Sequence, residues 1–264
     1  MSIPTEPIGS IPRPSALVEA QQAFAAGRIG ARELQSAGEA AVRQTIAELE
    51  ATGSPVITDG EQTKPSFATY PVHGLPNLAA DGVIITFADG HTRQLPRLTA
   101  GPFRYATYAA TYTEAARRYA HVPVKQAVIS PSALSLLYPS DGIPGYSREE
   151  FLDDLTREAE TDIRRALEAG AHDVQIDFTE GRLAVKLDPS LGVLRSFVAL
   201  NNRVIDRFSQ EDRARLGVHT CPGGDRDSTH SADVDYAHLL PDLFDLHLTN
   251  FYVQLASERD RRRV

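Results

Sequence analysis

The apolar residues of this chain switch repeatedly between two spacings. Leu34, Ala37, Ala41, Ile46 and Leu49 recur at helical intervals and predict a helix over 31–52 that stops at Gly53. Val56-Ile-Thr58 then reads as a strand, 105–120 as a helix, and Val124-Lys-Gln-Ala-Val-Ile129 as a strand ended by Ser130-Pro131. Ser147 and Glu150 have capping-box spacing and open a helix that runs to Ala169, where Gly170 stops it. Asp173-Val-Gln-Ile-Asp177 reads as a strand and the region near 190–207 as a helix. Leu216-Gly-Val218 is a short buried strand that continues through His219-Thr-Cys221 and ends at Pro222-Gly-Gly224. A short helix near 233–240 and a strand over Phe244–Asn250 complete the series. At the other end, Pro7-Ile-Gly-Ser10 is a strand-like entry that turns at Ile11-Pro-Arg-Pro14 into a helix with Ser15 in its first turn.

Strands alternating with helices of this length imply βαβ units and a parallel sheet. A single (β/α)8 barrel of TIM type is common at 264 residues and 28.8 kDa. The fold class expected is therefore α/β, with residues 1–264 as one barrel domain. Val83–Phe87 and Arg93–Leu95, joined through Ala88-Asp-Gly-His91, read as a β-hairpin inserted near 82–96. The strand candidates number seven, one short of a closed barrel, so the last strand–helix unit is expected to be missing. An open sheet edge favours association and leaves a homo-oligomer open.

Composition narrows the function classes. A formal net charge of -8 argues against a nucleic-acid surface, and the basic run over 259–263 reads as a solvated helix face. The single cysteine excludes an internal disulfide and suits a reducing cytoplasm. The first residues lack the basic region and apolar run of a signal peptide, and no apolar stretch approaches the ~20 residues of a membrane span. No nucleic-acid or membrane partner is expected.

The chemistry gathers where strands end. Ser10, Asp59 and Glu61, Ser130, Asp177, His219 and Cys221, and Asn250 each follow a strand candidate, the place where α/β barrels assemble active sites. Side chains alternate along a strand, so His219 and Cys221 point the same way and offer an imidazole and a thiolate to one metal ion.

Four segments together resemble the cobalamin-independent methionine synthase family, in particular its C-terminal catalytic barrel and short single-barrel relatives. Ile8-Gly-Ser-Ile-Pro-Arg13 resembles the family's segment at the first strand, Asp59-Gly-Glu61 its glutamate motif, Val174-Gln-Ile-Asp177 its aspartate strand, and His219-Thr-Cys221 its H-x-C. The resemblance implies a methyltransferase that moves a methyl group to a thiol such as homocysteine. Ile8, Gly9 and Ser10 would hold the substrate carboxylate, and Glu61 and Asp177 its ammonium. His219 and Cys221 would bind zinc (Zn2+), which deprotonates a coordinated thiol. The methyl donor implied is methylfolate or a methylcorrinoid.

The chain also departs from the family. Asp177 is followed by Phe178-Thr179-Glu180 instead of Glu-Pro. The family's glutamate ligand would fall at Asn250, a poor donor, which moves the expected third ligand to Glu258. There is no second cysteine, no tryptophan and no N-terminal second barrel. A zinc-thiolate enzyme acting on an epoxide with coenzyme M, and a non-catalytic truncated paralogue, stay open beside the methyltransferase.

Overall fold

The computed structural model describes residues 5–256 together with Glu258 and Asp260; the rest of the basic run at 259–263 lies outside the described residues. In chain order the elements are α1 (Ser15–Ala25), α2 (Ala31–Ala51), β1 (Leu78–Ala79), β2 (Ile84–Thr86), β3 (Thr92–Gln94), β4 (Arg97–Leu98), α3 (Ala110–Arg117) and β5 (Gln126–Ile129). They continue with α4 (Pro131–Ser135), α5 (Arg148–Glu168), β6 (Val174–Asp177), α6 (Glu180–Leu187), α7 (Gly192–Ile205), α8 (Gln210–Arg213) and β7 (Leu216–Thr220). The last are β8 (Gly224–Asp225), β9 (Ser228–Thr229), α9 (Leu240–Leu243) and β10 (Asn250–Val253).

A parallel sheet in the order β10-β7-β6-β5 forms the centre, and a parallel bridge from Ile57 to Val124 extends it on the β5 side. One face of each strand packs on the helices: Val174, Ile176, Leu216 and Val218 all join the main apolar core. The alternate residues Gln175, Asp177, Gly217 and His219 face the other way, as the two-residue period requires. Both faces are buried, which is the condition of a parallel sheet.

Several sequence expectations are corrected here. Among the described residues the parallel sheet runs from β10 to the Ile57 bridge and does not close on itself. The inserted hairpin forms as expected, around Asp89-Gly90 with Gly90 at φ +89, and β1 with β4 pairs separately just outside it. It does not pair with the parallel sheet, so it adds nothing to the barrel count. Residues 7–10 are held by side chains instead of a strand ladder: Gln175 Nε2 donates to Ile8 O at 3.0 Å and Thr58 Oγ1 to Gly9 O at 3.4 Å. The helix expected over 105–120 shrinks to α3, because the amides of Tyr105 and Ala109 donate to Glu158 and Asp162 of α5. Sequence reading missed α6, which has no side-chain cap at Thr179.

The last strand is displaced. Residues 244–249 do not form it, since Asn202 of α7 takes their backbone: its Nδ2 donates to Asp245 O at 2.8 Å, and its Oδ1 accepts from His247 N at 2.9 Å. Asn250 therefore starts β10 instead of ending a strand. Its Nδ2 donates to Ala214 O and Leu216 O, at the opposite end of the sheet from Asp177 and His219.

Candidate substrate site

Ser10, Glu61, Asp177, His219 and Cys221 line one cavity of about 780 Å3 at the C-terminal ends of the parallel strands, together with Ile8 and Gly9. Strand register explains the centre of it. Asp177 and His219 are direct partners across β6 and β7, and Cys221 lies two residues beyond His219 on the same face.

The Gly60-Glu61 turn sits in the left-handed region, at φ +63 and +56. For a glutamate that conformation carries strain of roughly 1–3 kcal/mol, maintained by its surroundings. Those surroundings are visible. The Asp59 carboxylate accepts the Glu61 amide at 2.9 Å, the Ser10 hydroxyl donates to Glu61 Oε2, and Lys64 Nζ donates to Glu61 Oε1 at 2.7 Å. Lys64 is a fully buried ammonium that also donates to Ala127 O at 2.7 Å and lies 4.7 Å from the Tyr70 ring centre. Glu61 thus has a neutralising partner inside the protein.

Asp177 has none. Gln175 Nε2 donates to it at 2.7 Å, and among the described residues no cation is within ion-pair distance. Burial, with the Glu61 charge adding to it, pushes its carboxyl up to about 7. Nearby, no acceptor among the described residues meets the amides of Gly9 or Ser10. The cavity therefore offers free N–H groups and one acid without an ion-pair partner among the described residues.

His219 Nδ1 lies 3.0 Å from Tyr252 O. A carbonyl only accepts, so Nδ1 carries the proton and Nε2 keeps its lone pair. Burial holds the imidazole neutral, lowering its pKa to about 4, and pushes the Cys221 thiol up to about 11. The Cys221 sulfur accepts the Gly223 amide at 3.4 Å. Both are metal-donor types in suitable form, apart from the proton that Cys221 must lose.

Glu258, the expected third ligand, is elsewhere. Its carboxylate pairs at 2.7 Å with Arg182, a buried guanidinium stacked 4.2 Å over the Tyr236 ring. Among the described residues no group of three His, Cys, Asp and Glu side chains is placed to hold a metal ion. Glu258 is thus engaged by Arg182, and Asn250 lies at the far end of the sheet from His219.

The outer wall consists of two hairpins, the turn of the first resting against the strands of the second. The Ala88 amide donates to Thr229 O at 2.9 Å, Phe87 packs against His230, and Arg93 pairs with Asp225 at 2.9 Å. Arg226 and Asp227 form the turn between β8 and β9, both left-handed at φ +47 and +62. Sequence reasoning did not single out Lys64, Arg93 or Asp225. Only Lys64 left a local trace, a cation three residues after Glu61.

No family model matches the chain. It is 22% identical over 230 residues to methionine synthase of Sulfurisphaera tokodaii, covering 84% of this chain and 62% of that protein. It is also 22% identical over 221 residues to methionine synthase of Saccharolobus solfataricus, covering 84% and 63%. The chain thus spans less than two thirds of the length of these relatives. A B12-independent methionine synthase from a Shewanella species, solved with selenomethionine, superposes with a TM-score of 0.70 at 20% identity, over 94% of this chain and 72% of that one. A vitamin-B12-independent methionine synthase described as putative, from Listeria monocytogenes, gives 0.68 at 21%, over 92% and 70%. The resemblance read from the four segments is borne out in sequence and in fold.

Proposed function

We propose, from this likeness to methionine synthases, that the chain is the thiol-binding part of a cytoplasmic methyltransferase whose acceptor is an amino-acid thiol such as homocysteine. One observation carries the reading: the uncompensated Asp177 carboxylate, the free Gly9 and Ser10 amides and the His219–Cys221 pair share a single cavity. An ammonium at Asp177 gains a charge-assisted hydrogen bond, and a carboxylate can take the amides near Ser10. That orientation leaves the substrate sulfur to reach toward His219 and Cys221. Glu61 orients Ser10 through its hydroxyl.

Zinc is the cofactor that the resemblance implies, with His219 and Cys221 as two of its ligands. A catalytic zinc site needs three protein donors. The described residues bring two together, and Glu258 is bound to Arg182, so they do not complete the site.

The uncompensated acid favours an amino-acid thiol over a sulfonate thiol, which has no cation to offer Asp177. Calorimetric titration with homocysteine and with 2-sulfanylethanesulfonate tests the point, followed by methyl-transfer assays with methylfolate and with methylcobalamin. Preference for homocysteine supports the reading. Preference for the sulfonate, or binding that ignores Asp177→Asn, overturns it. Zinc titrated into the same protein should bind weakly, and Cys221→Ala should abolish what binding there is.

A further inference from the structure

The cavity's charged groups can be sorted by whether the protein already neutralises them. Glu61 is paired with Lys64 and Arg93 with Asp225. Arg226 and Asp227 bring one charge of each sign and stand exposed at the rim, where water screens them. His219 is bonded to the Tyr252 carbonyl and Cys221 to the Gly223 amide, and neither is ion-paired among the described residues. Two ionisable groups remain without an ion-pair partner among the described residues, Asp177 and Arg13.

Arg13 lines the same cavity, three residues beyond Ser10. Its guanidinium donates from Nε to Gln62 O at 3.1 Å and from Nη2 to Lys64 O at 2.6 Å. Both acceptors are neutral carbonyls of the turn that carries Glu61. Among the described residues no carboxylate pairs with Arg13. Those two bonds fix the side chain while leaving its full positive charge and the remaining N–H groups uncommitted, since a guanidinium has five donors and does not deprotonate.

A cavity with one unsatisfied acid and one unsatisfied guanidinium is matched to a ligand with one charge of each sign. We propose that Arg13 determines specificity for the α-carboxylate of the substrate, acting with Asp177 so that the site selects a free zwitterionic amino acid over thiols that keep only one of the two charges. This rests on the amino-acid-thiol reading above and deepens it. The amides of Gly9 and Ser10 supply direction, and Arg13 supplies the charge.

The test separates the two charges by ligand. Homocysteine carries both, 3-aminopropane-1-thiol only the ammonium, and 4-sulfanylbutanoate only the carboxylate. Binding of each is measured by calorimetry to the wild-type chain, Arg13→Met and Asp177→Asn. Arg13→Met should weaken homocysteine and 4-sulfanylbutanoate by about 10- to 100-fold, the loss of one charge-assisted bond, and leave 3-aminopropane-1-thiol unchanged. Asp177→Asn should weaken homocysteine and 3-aminopropane-1-thiol and leave 4-sulfanylbutanoate unchanged. Arg13→Met also removes two bonds to the Gln62–Lys64 turn, and a merely structural loss would weaken all three ligands alike. That uniform loss, or no loss at all, overturns the role of Arg13 while homocysteine binding by the wild type leaves the methyltransferase reading standing. Failure of the wild type to bind any of the three overturns both.

Discussion

Lys64 and Glu61 form an ion pair at 2.7 Å, with side chains only 1% and 5% exposed. Removing one partner leaves the other charged and out of water, which costs on the order of 3–5 kcal/mol. Lys64→Met should therefore destabilise the fold by about that much in urea or thermal unfolding. The double variant Lys64→Met/Glu61→Gln should recover a large part, because neither charge then remains buried alone. If the double variant is no more stable than the single one, the pair is not the source of the cost.

Ligand affinity should depend on pH through Asp177. Its carboxyl is pushed up to about 7 by burial, so the free site is protonated on the acid side and charged on the alkaline side. An ammonium ligand needs the charged form. Affinity for methionine, whose thioether does not titrate, should rise as pH passes through about 7 and level off above it. Asp177→Asn should flatten the profile and weaken binding at the alkaline end. A wild-type profile already flat across that range would remove Asp177 from ammonium recognition.

The stability contributed by two other buried acids should move in the opposite direction with pH. Burial raises Glu180 from 4.5 to about 7 and Asp162 from 3.8 to about 6. A carboxyl raised by folding favours the folded state when protonated. Its contribution is full below the unfolded value near 4 and is lost as pH rises through 6 to 7. Glu180 accepts from the Ser130 and Ser132 hydroxyls through Oε1, while its Oε2 is buried without a hydrogen-bond partner. The Glu180 contribution should fall between about pH 4 and about pH 7, so Glu180→Gln should shift the pH dependence of the unfolding free energy toward stability that rises with pH over that window. Equal slopes for the two proteins would count against this assignment.

Gly217 is a packing position. A side chain there would overlap the Tyr252 ring, which crosses the strand from β10, and would press on Asn250. Gly217→Ala should cost about 1–3 kcal/mol by overpacking, and pairing it with Tyr252→Leu should return part of the loss in a double-mutant cycle. Additive effects would show that the two residues do not compete for the same space.

How much was legible in the sequence follows from how local each signal was. The Ser147–Glu150 box, the Gly170 stop and the Asp89-Gly90 hairpin are read from neighbours along the chain, and all three appear in the structure. Phe244–Asn250 has the alternation of a strand, with Leu246 and Leu248 buried. What decides it is Asn202, some 45 residues upstream, which takes the backbone groups a strand would have used. The same holds at the site. His219 and Cys221 share a face because two-residue spacing compels it, whereas the partner of Glu258 is an arginine 76 residues away that no spacing rule reaches. Charge compensation was the least legible layer. Glu61 and Asp177 look alike in sequence, and only the fold shows that one carries its own cation and the other does not.

The outer wall meets through Ala88 and Thr229, residues 141 positions apart that belong to separate small hairpins and not to the parallel sheet. The wall and the floor of the cavity are thus built from different parts of the chain and held by different contacts. Substitutions or length changes in either hairpin can reshape what the cavity admits without disturbing the strands that present Asp177, His219 and Cys221. Such a division lets substrate choice drift quickly over evolutionary time while the reacting end stays fixed, and it makes the two hairpin tips the natural place to redirect the site toward a new ligand.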